Sequence, residues 1–255
     1  MKETHTIIID IGNSRVKFFL GDRVFYSIED LLIFLKAATT HPGVEMLQVD
    51  LFMVSTVEAK NQEIISKLRT ELNINQIEIF NGLEQTEIKE IYDGLGNDRV
   101  AKLIGASRLN PGKNIILMDF GTATTISVLD SERNFKGGFI GLGMRSSLQA
   151  LSEYCDALAD YSKDPEFGVL IDNYDEKTLY ENKSTKNAIL LGAVNSHIAL
   201  VNQWLYRGKQ LIEPDSKHIT ICTGGEAGYF ERFFDKRIEE AELLSVIQRS
   251  DVVAT

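Results

Sequence analysis

The sequence is poor in the residues that define several classes of protein. Its two cysteines, Cys155 and Cys222, are too few and too far apart for a disulfide framework or a cysteine-rich metal site, so we expect reduced thiols in the core. Only four prolines occur, and no low-complexity stretch marks a flexible linker. No apolar run approaches the ~18 residues of a membrane span, and "MKETHT" lacks the features of a secretory signal. These absences predict a cytoplasmic protein that does not enter membranes.

Positive charge is also scarce. The 27 lysines and arginines are outnumbered by 37 aspartates and glutamates, which gives a formal net charge of -10. Nucleic acids and anionic membranes are therefore not expected as partners. The four histidines have no metal-ligand spacing. With 44% hydrophobic residues, the 255-residue chain can bury the core of one large domain or two modest ones.

Two stretches of the chain share one pattern, in which an apolar run is followed by aspartate, glycine, small polar residues and a second β-rich run. The first is "IIIDIGNSRVKFFL" (7–20) and the second is "NIILMDFGTATTISVLD" (114–130). Asp10 and Asp119 are 109 residues apart, as are Gly12 and Gly121. The repeat predicts two related halves, each with a strand–turn–strand unit.

A turn of glycine and small polar residues exposes backbone N–H groups to which a polyanion can bind. A carboxylate beside such a turn repels phosphate unless a cation lies between them, so Asp10 is predicted to hold hydrated magnesium. Lys17, on the returning strand, can offset phosphate charge. An isolated D-x-G would be ordinary turn chemistry, but the second copy and the "TGG" at 223–225 favour a nucleotide site.

Hydrophobic periodicity predicts the other elements. We expect strands at 47–57, 76–80 and 218–223, and helices at 61–72, 98–109 and 186–206. The last of these helices carries more apolar surface than one buried face needs, which predicts a homodimer.

Four stretches read together resemble type III pantothenate kinases. They are "DIGNSRVK" (10–17), "GNDRVAKLIGA" (96–106), "DFGTATT" (119–125) and "GGFIGLGMRSSLQAL" (137–151), and the similarity continues in "STKNAILLG" (184–192) and "TGGEA" (223–227). The resemblance implies an α/β fold of two related actin-like (ribonuclease H-like) domains, 1–113 and 114–255, with an ATP cleft between them. It also implies transfer of the ATP γ-phosphoryl group to pantothenate, giving 4′-phosphopantothenate, the first step of coenzyme A biosynthesis.

The resemblance further implies a role for individual residues. Asp98 would be the proton acceptor, Asp10 would position Mg²⁺ through water, and Asp119 would hold K⁺ or NH4⁺. The ATP contacts would be Asp10, Gly12, Asn13, Ser14, Lys17 and Thr122. The pantothenate contacts would be Tyr92, Gly96, Asn97, Asp98, Arg99 and Thr185, the last acting across a dimer interface.

Two other functions remain open at this stage. One is an ATP-binding regulatory protein on the same fold without turnover, although the presence of Asp98 and Lys17 argues against it. The other is a kinase for another small hydroxy acid or a related phosphatase, because the loop before Asp98 is short and lacks the proline usual in the family. Asp98 itself could be only the N-cap of the helix that follows.

Overall fold

A computed structural model describes residues 5–12, 14–39, 48–55, 57, 59–172 and 183–248. Up to residue 110 it has strands β1 (His5–Ile11), β2 (Val16–Leu20), β3 (Arg23–Phe25), β4 (Gln48–Ser55) and β5 (Asn73–Ile79), with helices α1 (Ile28–Thr39), α2 (Ala59–Glu71) and α3 (Asn97–Leu109).

The remaining elements lie between residues 114 and 248. The strands are β6 (Asn114–Phe120), β7 (Ala123–Leu129), β8 (Phe135–Leu142), β9 (His218–Thr223) and β10 (Lys236–Arg237). The helices are α4 (Met144–Tyr154), α5 (Glu166–Asp172), α6 (Thr185–Lys209) and α7 (Glu240–Gln248), with two 3₁₀ turns at Ala227–Tyr229 and Glu231–Phe233.

The described elements form two five-stranded sheets of the same design. The strand orders are β3-β2-β1-β4-β5 and β8-β7-β6-β9-β10. In each, the first two pairings along the chain are antiparallel and the two formed with later strands are parallel. The α/β fold and the two related halves expected from the repeat are thereby confirmed.

The chain divides into two compact units. Unit 1 contains the residues up to Asn110 together with those from Glu240 onward, and unit 2 is Pro111–Glu239. This division differs from the expected 1–113 and 114–255 because α7 packs against α3 and β1. The C-terminal helix therefore belongs with the first half of the sequence, which no local pattern indicates.

Each sheet is covered by apolar side chains. In unit 1 the strand residues Ile7, Ile9 and Met53 are fully buried with Leu31 of α1 and Leu68 of α2. Central strands buried on both faces read as continuous apolar runs, which is the pattern of β1. In unit 2 the core joins β6 and β7 to one face of α6.

Helix α6 is long and apolar enough, by length and composition alone, to cross a membrane. Its buried residues, among them Leu190, Val194 and Val201, pack in the core of unit 2, where α6 contacts α4, α5, β6 and β7. We therefore interpret it as a core helix of that unit.

The two cysteines are both free thiols, but only Cys222 is buried. The expectation of two core thiols is wrong for Cys155, which follows the last residue of α4 and is exposed. Cys155 is at the C-cap of α4 among polar neighbours, whereas Cys222 lies in the buried strand β9.

Candidate active site

The β1–β2 hairpin brings a carboxylate and an ammonium group together in unit 1. Asp10 lies opposite Lys17 in the strand register, and Lys17 Nζ is 3.8 Å from Asp10 Oδ2. Asp10 is only 7% exposed. The turn between the strands is closed by Gly12 N–H, which donates to Arg15 O at 3.0 Å. Predicted ATP ligands Asp10, Gly12 and Lys17 thus occupy one hairpin; Ser14 is exposed in its turn, and Asn13 lies outside the described residues.

Two further charged residues, which the sequence did not indicate, join this hairpin. Glu240 of α7 accepts from Lys102 Nζ of α3 through Oε1 at 2.8 Å, and from Lys17 Nζ through Oε2. Lys102 and Glu240 are 4% and 8% exposed. The two helices approach this closely because residue 105 is glycine: a Cβ there would lie 2.1 Å from Leu243 O. We call Asp10, Lys17, Lys102 and Glu240 the hairpin cluster.

The pKa values of the two carboxylates in the hairpin cluster, Asp10 and Glu240, are shifted in opposite directions. Burial raises the pKa of Asp10 to about 6, against the lowering effect of the lysine charges. Burial also opposes ionisation of Glu240, but the charges and hydrogen bonds of Lys102 and Lys17 outweigh it and lower the Glu240 pKa to about 2. Glu240 is therefore ionised and paired with the two lysines. The ionised form of Asp10 is disfavoured by burial, so an added cation would stabilise it.

The chemistry around Asp10 fits magnesium held in one particular way. Among the described residues, no three His, Cys, Asp or Glu side chains are grouped as a metal cage. Magnesium usually keeps several waters and needs only one or two carboxylates when phosphate supplies other ligands. The carboxylate of Asp10 fits that role, with no other acidic ligand required.

The start of α3 carries the predicted proton acceptor. The N-cap of α3 is Gly96, and Asp98 is the second helical residue, so Asp98 is not a cap. It is partly exposed, and its charge is close enough to raise the pKa of Asp10. The charge of Asp98 therefore acts on the hairpin cluster through Asp10.

The neighbouring predicted substrate residues have defined partners. Arg99 is 7% exposed and donates from Nη1 to the Tyr92 hydroxyl at 3.3 Å, so the structure does bring these two residues together. Asn97 instead ties backbone segments: its Nδ2 donates to Ser55 O at 3.1 Å, and its Oδ1 accepts from Gly82 N–H at 2.8 Å. The Asn97 side chain thus holds the end of β4 against the start of α3.

A polar cavity of about 450 Å³ lies beside Asn97. Its lining includes Ser55, Asn61, Asn81 and Phe80. Asn61 is 6% exposed, and its Oδ1 has no hydrogen-bond partner in the described part of the chain. A buried acceptor of this kind is costly unless a donor reaches it.

In unit 2 the second aspartate of the repeat lies near the end of β6. Asp119 is partly exposed, opposite Thr223 of β9 in the parallel register. Gly224 has φ +96°, and a Cβ there would lie 2.3 Å from Asp119 Oδ1, so the "TGG" turn requires glycine at this point. The buried Thr223 hydroxyl has no hydrogen-bond partner among the described residues. An orphaned hydroxyl beside a carboxylate fits a monovalent cation.

The other two predicted residues of unit 2 lie at helix or strand boundaries. Thr122 is exposed in the β6–β7 turn, and its carbonyl accepts from Gly143 N–H at 2.9 Å and from Ser146 Oγ at 2.7 Å. Thr185 is exposed at the first residue of α6, where Ser184 Oγ caps the helix. Both are accessible to a ligand.

Several known proteins are similar to this chain in sequence. A type III pantothenate kinase 1 of Francisella tularensis subsp. holarctica is 28% identical over 252 residues, which cover 92% of this chain and 94% of that protein. The type III pantothenate kinase of Aquifex aeolicus is 32% identical over 139 residues, 54% of each chain.

A crystal structure of a Campylobacter jejuni protein, named for a Baf family of transcriptional activators, superposes with a TM-score of 0.55. The identity is 21% and the alignment covers 96% of both chains, so this likeness shows a shared fold only. The sequence model that matches residues 6–207 is that of type III pantothenate kinase, and this chain therefore belongs to the type III pantothenate kinase family.

Proposed function

We propose that this chain transfers the γ-phosphoryl group of ATP to the primary hydroxyl of pantothenate in the cytoplasm, giving 4′-phosphopantothenate and ADP. Family membership supports an ATP-dependent pantothenate kinase acting in coenzyme A biosynthesis. The observation that carries the assignment of residues is the hairpin cluster of unit 1, in which Lys17 Nζ lies 3.8 Å from Asp10 Oδ2 and the charge of Asp98 acts on Asp10.

The nucleotide is bound through phosphate. The turn amides around Gly12 and the ammonium group of Lys17 stabilise the negative charge of the triphosphate. Asp10 holds magnesium through water, and bound magnesium neutralises phosphate charge and helps to orient the γ-phosphoryl group. In unit 2 the turn at Thr122 contributes to ATP binding, and Asp119 with the Thr223 hydroxyl holds potassium or ammonium.

The acceptor is activated by Asp98. As the hydroxyl oxygen of pantothenate bonds to the γ-phosphorus, the bond from that phosphorus to the bridging oxygen of ADP breaks, and Asp98 takes the hydroxyl proton. Arg99, held by Tyr92, presents a planar guanidinium suited to an anionic group of the substrates. Gly96 keeps the backbone open at the helix start, and Asn97 positions it.

The polar cavity beside Asn97 suits the amide and the second hydroxyl of pantothenate. The side-chain amides of Gln62 and Asn81 in its lining can hydrogen-bond to either group. This pairing supports an amide-bearing hydroxy acid as the substrate.

We also propose a homodimer, to which Thr185 contributes. The support is apolar surface on β8, an edge strand among the described residues: Phe139, Ile140 and Leu142 are 43%, 63% and 57% exposed. Trp204 of α6 lies against Phe139 with ring centroids 5.5 Å apart. Light scattering at micromolar concentration is expected to give twice the chain mass, and a monomer would remove this part of the proposal.

The whole proposal is tested by measuring ADP release with magnesium and potassium, in the presence and absence of pantothenate. We expect release only with pantothenate, together with a product one phosphoryl group heavier by mass spectrometry. ATP binding without turnover would favour the regulatory alternative, which the family match does not favour. Turnover with another small hydroxy acid, but not with pantothenate, would reassign the substrate.

A further inference from the structure

The hairpin cluster contains a carboxylate for which the proposed reaction has no direct use. Glu240 comes from α7, which is 138 residues away from its partner Lys102. Each of its oxygens accepts from a different lysine, Lys17 on β2 and Lys102 on α3. Three separate elements of unit 1 thus meet at one carboxylate.

We propose that Glu240 is a positioning residue for ATP binding: its carboxylate holds the ammonium groups of Lys17 and Lys102 side by side at the phosphate turn of unit 1. This rests on the proposed role of Lys17 in binding ATP. Glu240 itself need not touch the nucleotide.

The first argument concerns the cost of burying the lysines. The side chains of Lys17 and Lys102 are only 17% and 5% exposed. Buried ammonium groups require a partner, and two of them near one another also repel. Asp10 is 3.8 Å from Lys17 and is the carboxylate assigned to magnesium, so it cannot serve both purposes equally well.

The second argument concerns the conformational freedom of the lysine side chains. A lysine has four side-chain torsions, and fixing them on binding a ligand costs affinity. An ammonium group already held by Glu240 beside Asp10 has lost that freedom before the phosphate arrives. Charge-assisted hydrogen bonds of this kind are among the stronger ones in proteins.

The third argument distinguishes positioning from general stability. A buried ion pair is often no more stabilising than apolar side chains of the same volume. The placement of this pair against the ATP hairpin, through a helix that packs tightly on α3 at Gly105, is therefore not explained by stability of unit 1 alone.

The primary test is the dissociation constant of Mg-ATP, measured by calorimetry on the full chain. We expect Glu240→Gln to weaken binding about tenfold or more. The matched control is Glu71→Gln, which removes another Lys–Glu pair of unit 1, Lys36 Nζ to Glu71 Oε2 at 2.8 Å, on the exposed surface. The control is expected to change the constant less than about twofold. Parental affinity of Glu240→Gln would overturn the proposal.

A double-mutant cycle separates positioning from a structural role. If Glu240 acts in part through Lys17, the Glu240→Gln change should weaken ATP binding by a clearly smaller factor in a Lys17→Met background than in the parent, and the remaining effect is the one carried by Lys102. Effects that multiply fully in the double variant would show that Glu240 does not act through Lys17 and would also overturn the proposal.

A charge-compensated variant is the control for a failure of Glu240→Gln to fold. If Glu240→Gln fails to fold by circular dichroism, Glu240→Gln with Lys102→Met removes one charge of each sign and leaves Lys17 without the Glu240 carboxylate. This variant should fold and still bind ATP weakly, and parental binding by it would refute the inference. Because the readout is ATP affinity, a wild-type chain that binds ATP but leaves pantothenate unmodified would refute the proposed function and not this inference.

Discussion

Replacing Asp98 by asparagine tests the proposed chemistry with little change of shape. The removal of a general base typically lowers rates by about 10²–10⁴, and a loose phosphoryl-transfer transition state puts the effect near the lower end. We therefore expect kcat to fall by roughly 10², which corresponds to about 3 kcal/mol of transition-state stabilisation.

The fold should tolerate this change. Asp98 is the second residue of α3 and the N-cap is Gly96, so no capping bond is lost. What is lost is the favourable interaction of one charge with the helix N-terminus, about 0.3–1 kcal/mol. Removing the charge of Asp98 also recovers some stability, because that charge opposes ionisation of Asp10. Stability should therefore change by less than about 1 kcal/mol.

The assay combines steady-state ADP release with calorimetry of ATP and pantothenate binding, and both affinities should stay within about tenfold of the parent. Asp93→Asn, at an exposed position in the loop before α3, is the matched control and should retain the parental kcat. Near-parental turnover of Asp98→Asn would refute the reasoning and leave Asp98 as a helix-dipole residue only.

Three other predictions concern unit 2. Activity should require potassium or ammonium, and equal rates in sodium-only and potassium-only buffers would exclude that requirement. Asp119→Asn should weaken ATP use without unfolding the protein. Burial lowers the pKa of His197, which shares a 2.9 Å hydrogen bond with Thr124 Oγ1, to about 4, so between pH 6.5 and 4 the unfolded chain binds the extra proton and stability falls on acidification. Urea unfolding should show that this loss, at most about 3 kcal/mol, is smaller in His197→Gln; an unchanged pH dependence would contradict it. Burial raises the pKa of Cys222 to about 11, so a thiol reagent should label one equivalent, at Cys155, until the protein is unfolded; two fast equivalents would disprove the assignment.

The sequence predicted the parts of the fold that depend on local order. The Asp-x-Gly repeat located both hairpins, and the apolar periodicity located α3 and α6 to within three residues at either end. These features depend on neighbouring residues, through turn chemistry and through the burial of one face.

Long-range partners could not be predicted in this way. Lys102 looks like an ordinary polar position of an amphipathic helix, and Glu240 like an acid in a first helical turn. Only the packing of α7 on α3 makes them a buried pair. Gly105 is a local sequence signal of that packing, since a glycine inside a helix is unfavourable unless another backbone approaches closely.

The return of α7 to unit 1 also sets an order of events during synthesis. Residues 111–239 must be made between the last helix of the first half and Glu240. At about 5–20 residues per second, this takes on the order of 10 s. Through that interval the newly made Lys17 and Lys102 have no Glu240 to neutralise them, and the sequence of unit 2 is completed only as Glu240 is reached. We expect the ATP hairpin to reach its final form only after translation has passed α7.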